Sequence, residues 1–272
     1  MTRLLSLYML LACAAAQAAD VATLQLNLRT RVEAFKGSGE WQEVHFEQSL
    51  PVSRTAILIC DMWDKHWCSG ASRRVDALAE RMNPVLETMR AAGVQIIHAP
   101  SETMDFYKAT PQRLRILAFA RIDPPAALGL TDPALPIDDS DGGCDTPDHF
   151  YKAWTRENAA LRIAPQDVVS DDGTEIYSFL KASHIDYLLF MGVHTNMCVL
   201  NRSFAIKRMT NWGEHCILVR DLTDSMYNPK ARPFVPHEHG TELIIEHIEK
   251  YWAPTVLSEQ LLQAAHDPVN HR

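Results

Sequence analysis

The chain lacks a basic excess, a long apolar run in its body, a phosphate loop and any internal repeat, and each absence removes a class of function. Against 34 aspartates and glutamates stand only 26 lysines and arginines, a formal charge of −8. Nucleic-acid binding needs clustered basic surface, so no nucleic-acid partner is expected. Beyond residue 18 no stretch is long and uncharged enough to cross a bilayer. Without a glycine-rich phosphate loop or heptads, neither nucleotide hydrolysis nor a coiled coil is indicated. What remains is a chain of 272 residues, 47% hydrophobic, that can bury one large core.

Residues 1–18 read as a secretory signal peptide rather than structure. Arg3 supplies a positive start, Leu4 to Ala15 an apolar core, and Ala16-Gln17-Ala18 a small-x-small cleavage site. The expected product is exported, periplasmic or secreted, begins at Ala19 and keeps no membrane contact. Leu10-Leu11-Ala12-Cys13 loosely resembles a lipoprotein box, the less favoured alternative. Removing the leader leaves Cys60, Cys68, Cys144, Cys198 and Cys216. The number is odd, so in an oxidising compartment at least one thiol has no partner within the chain.

Residues 19–53 read as an N-terminal hairpin extension, with alternating stretches at 22–33 and 41–50. From residue 54 apolar strands alternate with helical patterns. Strands are expected at 54–61, 94–99, 161–163, 168–169, 186–193 and 216–219. Helices are expected at 73–92, 110–121, 174–183, 196–212 and 241–251. This alternation predicts a three-layer α/β fold over 54–272, a doubly wound, mostly parallel sheet with helices on both faces. Residues 122–150, rich in proline and acid, read as a long inserted loop. Ligands of such sheets bind beyond the carboxyl ends of the strands. The strand ends are Asp61, His98, the Gly192-Val193-His194 turn and Asp221.

Cys198 falls where that turn meets the next helix. A thiol in a first helical turn faces unpaired N–H groups and the positive end of the dipole, which predicts a depressed pKa and a nucleophile. A small buried core cysteine is the competing reading.

The Asp61 strand end and the Gly-Val-His-Thr-Asn-Met-Cys-Val block at 192–199 resemble the isochorismatase-like cysteine hydrolases, nicotinamidases and related amidases among them. The resemblance covers roughly residues 54–250. It implies Cys198 as nucleophile, Asp61 as its base, and a cis peptide at Val193-His194. It also implies an oxyanion hole formed by backbone around Val193, His194 and Cys198. A lysine belongs to the family pattern too, and the corresponding segment, Asp167 to Glu175, has none. Arg156 is the expected substitute, with Lys152 second. From their places at strand ends, Trp63 is expected as pocket wall or core, and His98 either lines the pocket or is a hydrogen-bonded structural histidine.

Asp61, Asp64 and His66 offer oxygen and nitrogen ligands, but their spacing matches no strong metal template, and neither a metal nor another cofactor is expected. Asp138 to Asp145 groups carboxylates around glycines yet lacks the ligand spacing of a calcium loop, and reads as a solvated acidic turn. His237-Glu-His239 reads as local packing. The expected function is cleavage of a C–N bond in a small amide through an acyl-enzyme on Cys198, with a homo-oligomer open. The alternatives are a ligand-binding relative without turnover and a metal-dependent hydrolase.

Overall fold

The computed structural model describes residues 21–266 and 269–271; the leader expected at 1–18 lies outside them. In chain order the elements are β1 (Val21–Glu33), β2 (Trp41–Pro51), β3 (Thr55–Cys60), α1 (Ser69–Ala92), β4 (Gln95–Ala99), α2 (Met104–Tyr107) and α3 (Pro111–Leu117). They continue with β5 (Val168–Val169), α4 (Gly173–Ala182), β6 (Tyr187–Val193), α5 (Cys198–Asn201), α6 (Ile206–Asn211) and β7 (His215–Asp224). The chain closes with α7 (His237–Tyr251), β8 (Thr255–Val256), α8 (Ser258–His266) and β9 (Val269–His271).

The strands form one sheet in the order β2-β1-β8-β7-β6-β3-β4-β5, with β9 also on β1. β3 to β8 run parallel, and β1 runs antiparallel to β2, β8 and β9. Alternate residues of β3 serve opposite faces. Ile57 and Ile59 pack with Val75, Met82 and Leu261 of α1 and α8, whereas Ala56 and Leu58 pack with Ile176, Phe179, Ile244 and Ile248 of α4 and α7. Every residue of β3 is buried, which accounts for its unbroken apolar run. The three layers are those expected. The hairpin is more than an appendage: the Leu24, Leu26 and Leu28 face of β1 enters the first core.

Several boundaries differ from the sequence pattern, for local reasons. α1 starts four residues early, at Ser69, where Cys144 ties the preceding turn down through a disulfide to Cys68. α3 is capped by the Thr110 hydroxyl, which accepts from the Arg113 N–H, and ends at Leu117 rather than 121. The strand expected at 161–163 is irregular backbone, and β7 runs on to Asp224, so Asp221 is no strand end. Asp221 instead accepts from the Ser258 N–H at the start of α8. The helix expected over 196–212 is two short helices broken at residues 202–205, where Arg202 turns extended (ψ 162°).

No helix or strand occurs between α3 and β5, so the loop expected at 122–150 is longer, running from 118 to 167. It is held to the body at many points, among them the Cys68–Cys144 disulfide and the Arg74–Asp145 ion pair.

Candidate active site

The carboxyl ends of β3 and β6, adjacent in the sheet, bring Asp61 and the 192–198 turn together. Gly192 (φ 113°) is needed there, because a Cβ would come within 2.1 Å of the Cys60 carbonyl oxygen. The next peptide, Val193-His194, is cis. Asp61 itself is left-handed (φ 45°), an uncommon conformation for a side-chain-bearing residue, and it is fully buried.

Two donors hold the Asp61 carboxylate. The Ser101 N–H donates to Oδ1 at 2.7 Å, and the Arg202 Nε donates to Oδ2 at 2.8 Å. Cys198 is near enough for thiol and carboxylate to set each other's proton affinity. Burial lifts Asp61 above the usual carboxylate range, against the downward pull of Arg202 and Ser101.

The Cys198 thiol is pushed up, not down, first by burial and then by the Asp61 charge; Arg202 and the His194 backbone pull the other way. The depressed pKa expected from helix position is therefore overturned. α5 is a single turn of four residues, too short for a strong dipole, and an anion stands beside the sulfur. At rest the sulfur is held as a thiol beside Asp61.

Arg202 is the cation that the fold places on Asp61, and the sequence pattern did not single it out. Its Nη1 also donates to Glu102 Oε1 at 3.4 Å, and its guanidinium lies 5.8 Å from the Trp63 ring centroid. The signal was available: Arg202 follows Cys198 by four residues, one helical turn on the same face. Arg156, expected in this place, is elsewhere. Its side chain is exposed, its Nε is 4.0 Å from Asp64, and its guanidinium lies over Phe106. Lys152 is also exposed and donates to the Glu102 carbonyl.

Trp63 sits beside the site, stacked at 4.3 Å on Trp154, with its Nε1 donating to the Ser101 carbonyl. His194 is buried with its ring edge-on to His66 at 5.0 Å. Burial, and then the neighbouring His66, hold His194 down to about 3, so it is neutral. Burial and Arg74 hold His66 to about 4.

Asp64 and His66 do not converge with Asp61. Asp64 accepts from the Thr155 N–H and hydroxyl, and His66 Nδ1 accepts from the Cys68 N–H. Among the described residues, the only three-ligand grouping is Cys68, Cys144 and Asp145, whose two sulfurs are joined as a disulfide. His237 is local packing, bonded to Asp224 and to the Tyr227 carbonyl.

His98 does not line the pocket. It lies fully buried between Glu157 Oε2 at 2.8 Å and Asp167 Oδ2 at 3.1 Å. Burial opposes its charge, but Glu157 and Asp167 outweigh it and hold the imidazole up to about 9. A pKa raised above its unfolded value, about 6.5, contributes stability that is complete below that value. It is lost as pH climbs through about 9. Denaturant unfolding of wild type is expected to weaken over that window, and His98→Asn should flatten the slope. Equal slopes in the two proteins would reject the charged His98.

The pocket over Cys198 holds about 560 Å³ and is lined by Leu135, Asp139, Met197, Asn201 and Arg202, among others. Two of these come from the 118–167 loop. Its acidic turn is not simply solvated: Asp139, Asp141 and Asp145 accept from Asn196, Asn228 and Arg74.

No family model matches the sequence, and no curated protein does. Solved structures do match. A cysteine hydrolase from Pseudomonas syringae is 16% identical, with a TM-score of 0.52 over 80% of this chain and 95% of that one. An isochorismatase from Pseudomonas putida is 13% identical, with a TM-score of 0.46 over 76% and 90% of the two chains. An isochorismatase-like hydrolase from Alkaliphilus metalliredigens is 18% identical, at 0.44 over 79% and 97%. On the first of these, the chain shares the three-layer α/β fold of that cysteine hydrolase.

Proposed function

We propose that the chain is a cysteine hydrolase that cleaves the C–N bond of a small amide through an acyl-enzyme on Cys198. The observation that carries this reading is that Cys198 and Arg202 line one pocket while both engage the buried Asp61 carboxyl group. A thiol flanked by a buried carboxylate and a guanidinium is arranged for proton transfer followed by attack on a carbonyl carbon.

In the first half-reaction Sγ bonds to the carbonyl carbon while its proton passes to Asp61. The C–N bond then breaks, and the proton moves to the departing nitrogen. In the second, water attacks the thioester, Asp61 takes its proton, the C–S bond breaks, and the proton returns to sulfur. Arg202 opposes the effect of burial and lowers the proton affinity of Asp61 between steps. The Cys198 N–H, at the first position of α5, has no intrahelical acceptor and is positioned to meet the oxygen that becomes negative.

The binding-only alternative was motivated by the missing lysine, and Arg202 weakens that motive. The metal-dependent alternative loses support because Asp64 and His66 are engaged elsewhere. The Cys68–Cys144 disulfide supports work in an oxidising compartment. Intact-mass spectra of the native protein, incubated with a panel of small amides, test these readings together. A processed chain should begin at Ala19, and one amide should add its acyl mass to wild type and nothing to Cys198→Ala. If no amide adds mass or releases ammonia, binding without turnover becomes the better reading.

A further inference from the structure

The Cys198 pocket carries a fixed negative charge that the hydrolysis scheme does not use. Asp139 lines the same pocket as Cys198 and Arg202. Its Oδ2 accepts from Asn196 Nδ2 at 2.8 Å, and among the described residues Oδ1 has no partner. Asn196 is itself locked, since its Oδ1 accepts from the Met226 N–H at 2.8 Å and its Nδ2 also donates to the Met226 carbonyl at 3.0 Å.

The turn bearing Asp139 is held firmly. The disulfide fixes Cys144, and Asp141 accepts from Asn228. Gly143 packs so closely that a Cβ would sit 2.1 Å from the Met226 carbonyl oxygen. A long loop so fastened presents its carboxylate in one position, the preorganisation that selectivity needs.

Arg202 directs Nε to Asp61 and Nη1 to Glu102, so its charge is balanced by two carboxylates other than Asp139. Asn201 turns its Nδ2 onto the Asn196 and Met197 carbonyls, which leaves Oδ1, an acceptor, for the pocket. Leu135 and Met197 supply apolar wall between these groups. The formal charge of −8 adds long-range attraction for cations.

We propose that Asp139 is a specificity-determining residue, and that the substrate is a small amide bearing a cationic or charge-assisted N–H donor group at the end remote from the reacting carbonyl. The inference rests on the cysteine-hydrolase reading for the amide and adds the charge of what surrounds it. A carboxylate with one free oxygen rewards such a group and repels an anionic one.

Three primary amides of equal chain length test this in the full-length protein: δ-aminovaleramide, hexanamide and adipamic acid, whose ends are cationic, apolar and anionic. Ammonia release should favour δ-aminovaleramide by roughly 10- to 100-fold, the range for a hydrogen bond to a charged group. Asp139→Asn should remove that preference. Equal kcat/KM for the three amides, or a preference that survives in Asp139→Asn, overturns the assignment and leaves the Cys198 chemistry standing.

A second measurement reads the pocket without turnover. Trimethylammonioethyl methanethiosulfonate should modify Cys198 faster than its sulfonatoethyl counterpart, scored by intact mass with Cys198→Ala as control. In Asp139→Asn the ratio should fall about tenfold. A ratio that does not move rejects the role of Asp139 even if no amide is turned over. A lowered ratio without turnover upholds the charged pocket and counts against the hydrolase alone.

Discussion

Replacing Asp61 with asparagine is expected to cut turnover by roughly 10²- to 10⁴-fold, the range for loss of a general base, and at the same time to speed alkylation of Cys198. The two effects have one cause. In the native site burial first, and then the Asp61 charge, hold the proton on sulfur. The substituted amide would be neutral and unable to accept that proton, so the attacking thiolate would have no partner to form it. Arg202 would meanwhile face the sulfur with only Glu102 left to balance it, and the thiol would ionise more readily. A tenfold gain in thiolate fraction, partly offset by weaker nucleophilicity, still gives roughly threefold faster alkylation. The pH profile carries a further sign. Because burial raises the Asp61 pKa, kcat/KM of wild type should fall, as pH drops, at a higher pH than an ordinary aspartate would dictate. Iodoacetamide rates and kcat/KM measured on wild type and Asp61→Asn check both limbs. Slower alkylation in the variant would mean that Asp61 activates the thiol at rest, and the scheme of a protonated resting pair would fail.

What the sequence disclosed, and what it hid, follow from the range of the interactions involved. The Ala56-Ile-Leu-Ile-Cys60 and Tyr187 to Met191 runs are apolar throughout because both faces of those strands are covered, so the parallel sheet was legible from them alone. The Gly192 to Cys198 block was legible because its residues are contiguous in sequence, although the contact that requires the glycine, the Cys60 carbonyl, comes from the neighbouring strand β3. The thiol's proton affinity was not, since it depends on Asp61, 137 residues away in sequence and one strand away in space. Nor was the function of the 118–167 loop, whose position depends on the Cys68–Cys144 link across 76 residues of chain. His98 was read as a strand-end residue near the site, but its partners, Glu157 and Asp167, arrive from that same loop and draw it into a buried ion network. Periodicity carries no record of such pairings.

Arg202→Met is expected to lower kcat/KM by about 10²- to 10³-fold, the cost of removing one positioned electrostatic donor. The residue acts through its neighbours. Arg202 lowers the proton affinity of both Asp61 and Cys198, and without it two buried groups share a site with no counterion. Asp61 then takes a proton at higher pH, so the acidic limb of kcat/KM should move upward and part of the lost rate should return in alkaline buffer. Stability moves the other way. With the folded-state pKa of Asp61 raised further above its unfolded value, its contribution holds at low pH and falls as pH rises through the shifted value. The variant should therefore melt progressively earlier than wild type as pH rises, a readout that loss of packing alone would not give. Arg202→Lys keeps the charge but not the fork that spans Asp61 and Glu102, so an intermediate rate is expected. Arg156→Ala, by contrast, removes an exposed partner of Asp64 and should change kcat/KM by less than about threefold, within the surface range of roughly half a kcal/mol. Rates, pH profiles and melting curves of the three variants on one substrate decide the matter. An unshifted acidic limb in Arg202→Met, whatever its rate, would remove Arg202 from the proton chemistry of Asp61.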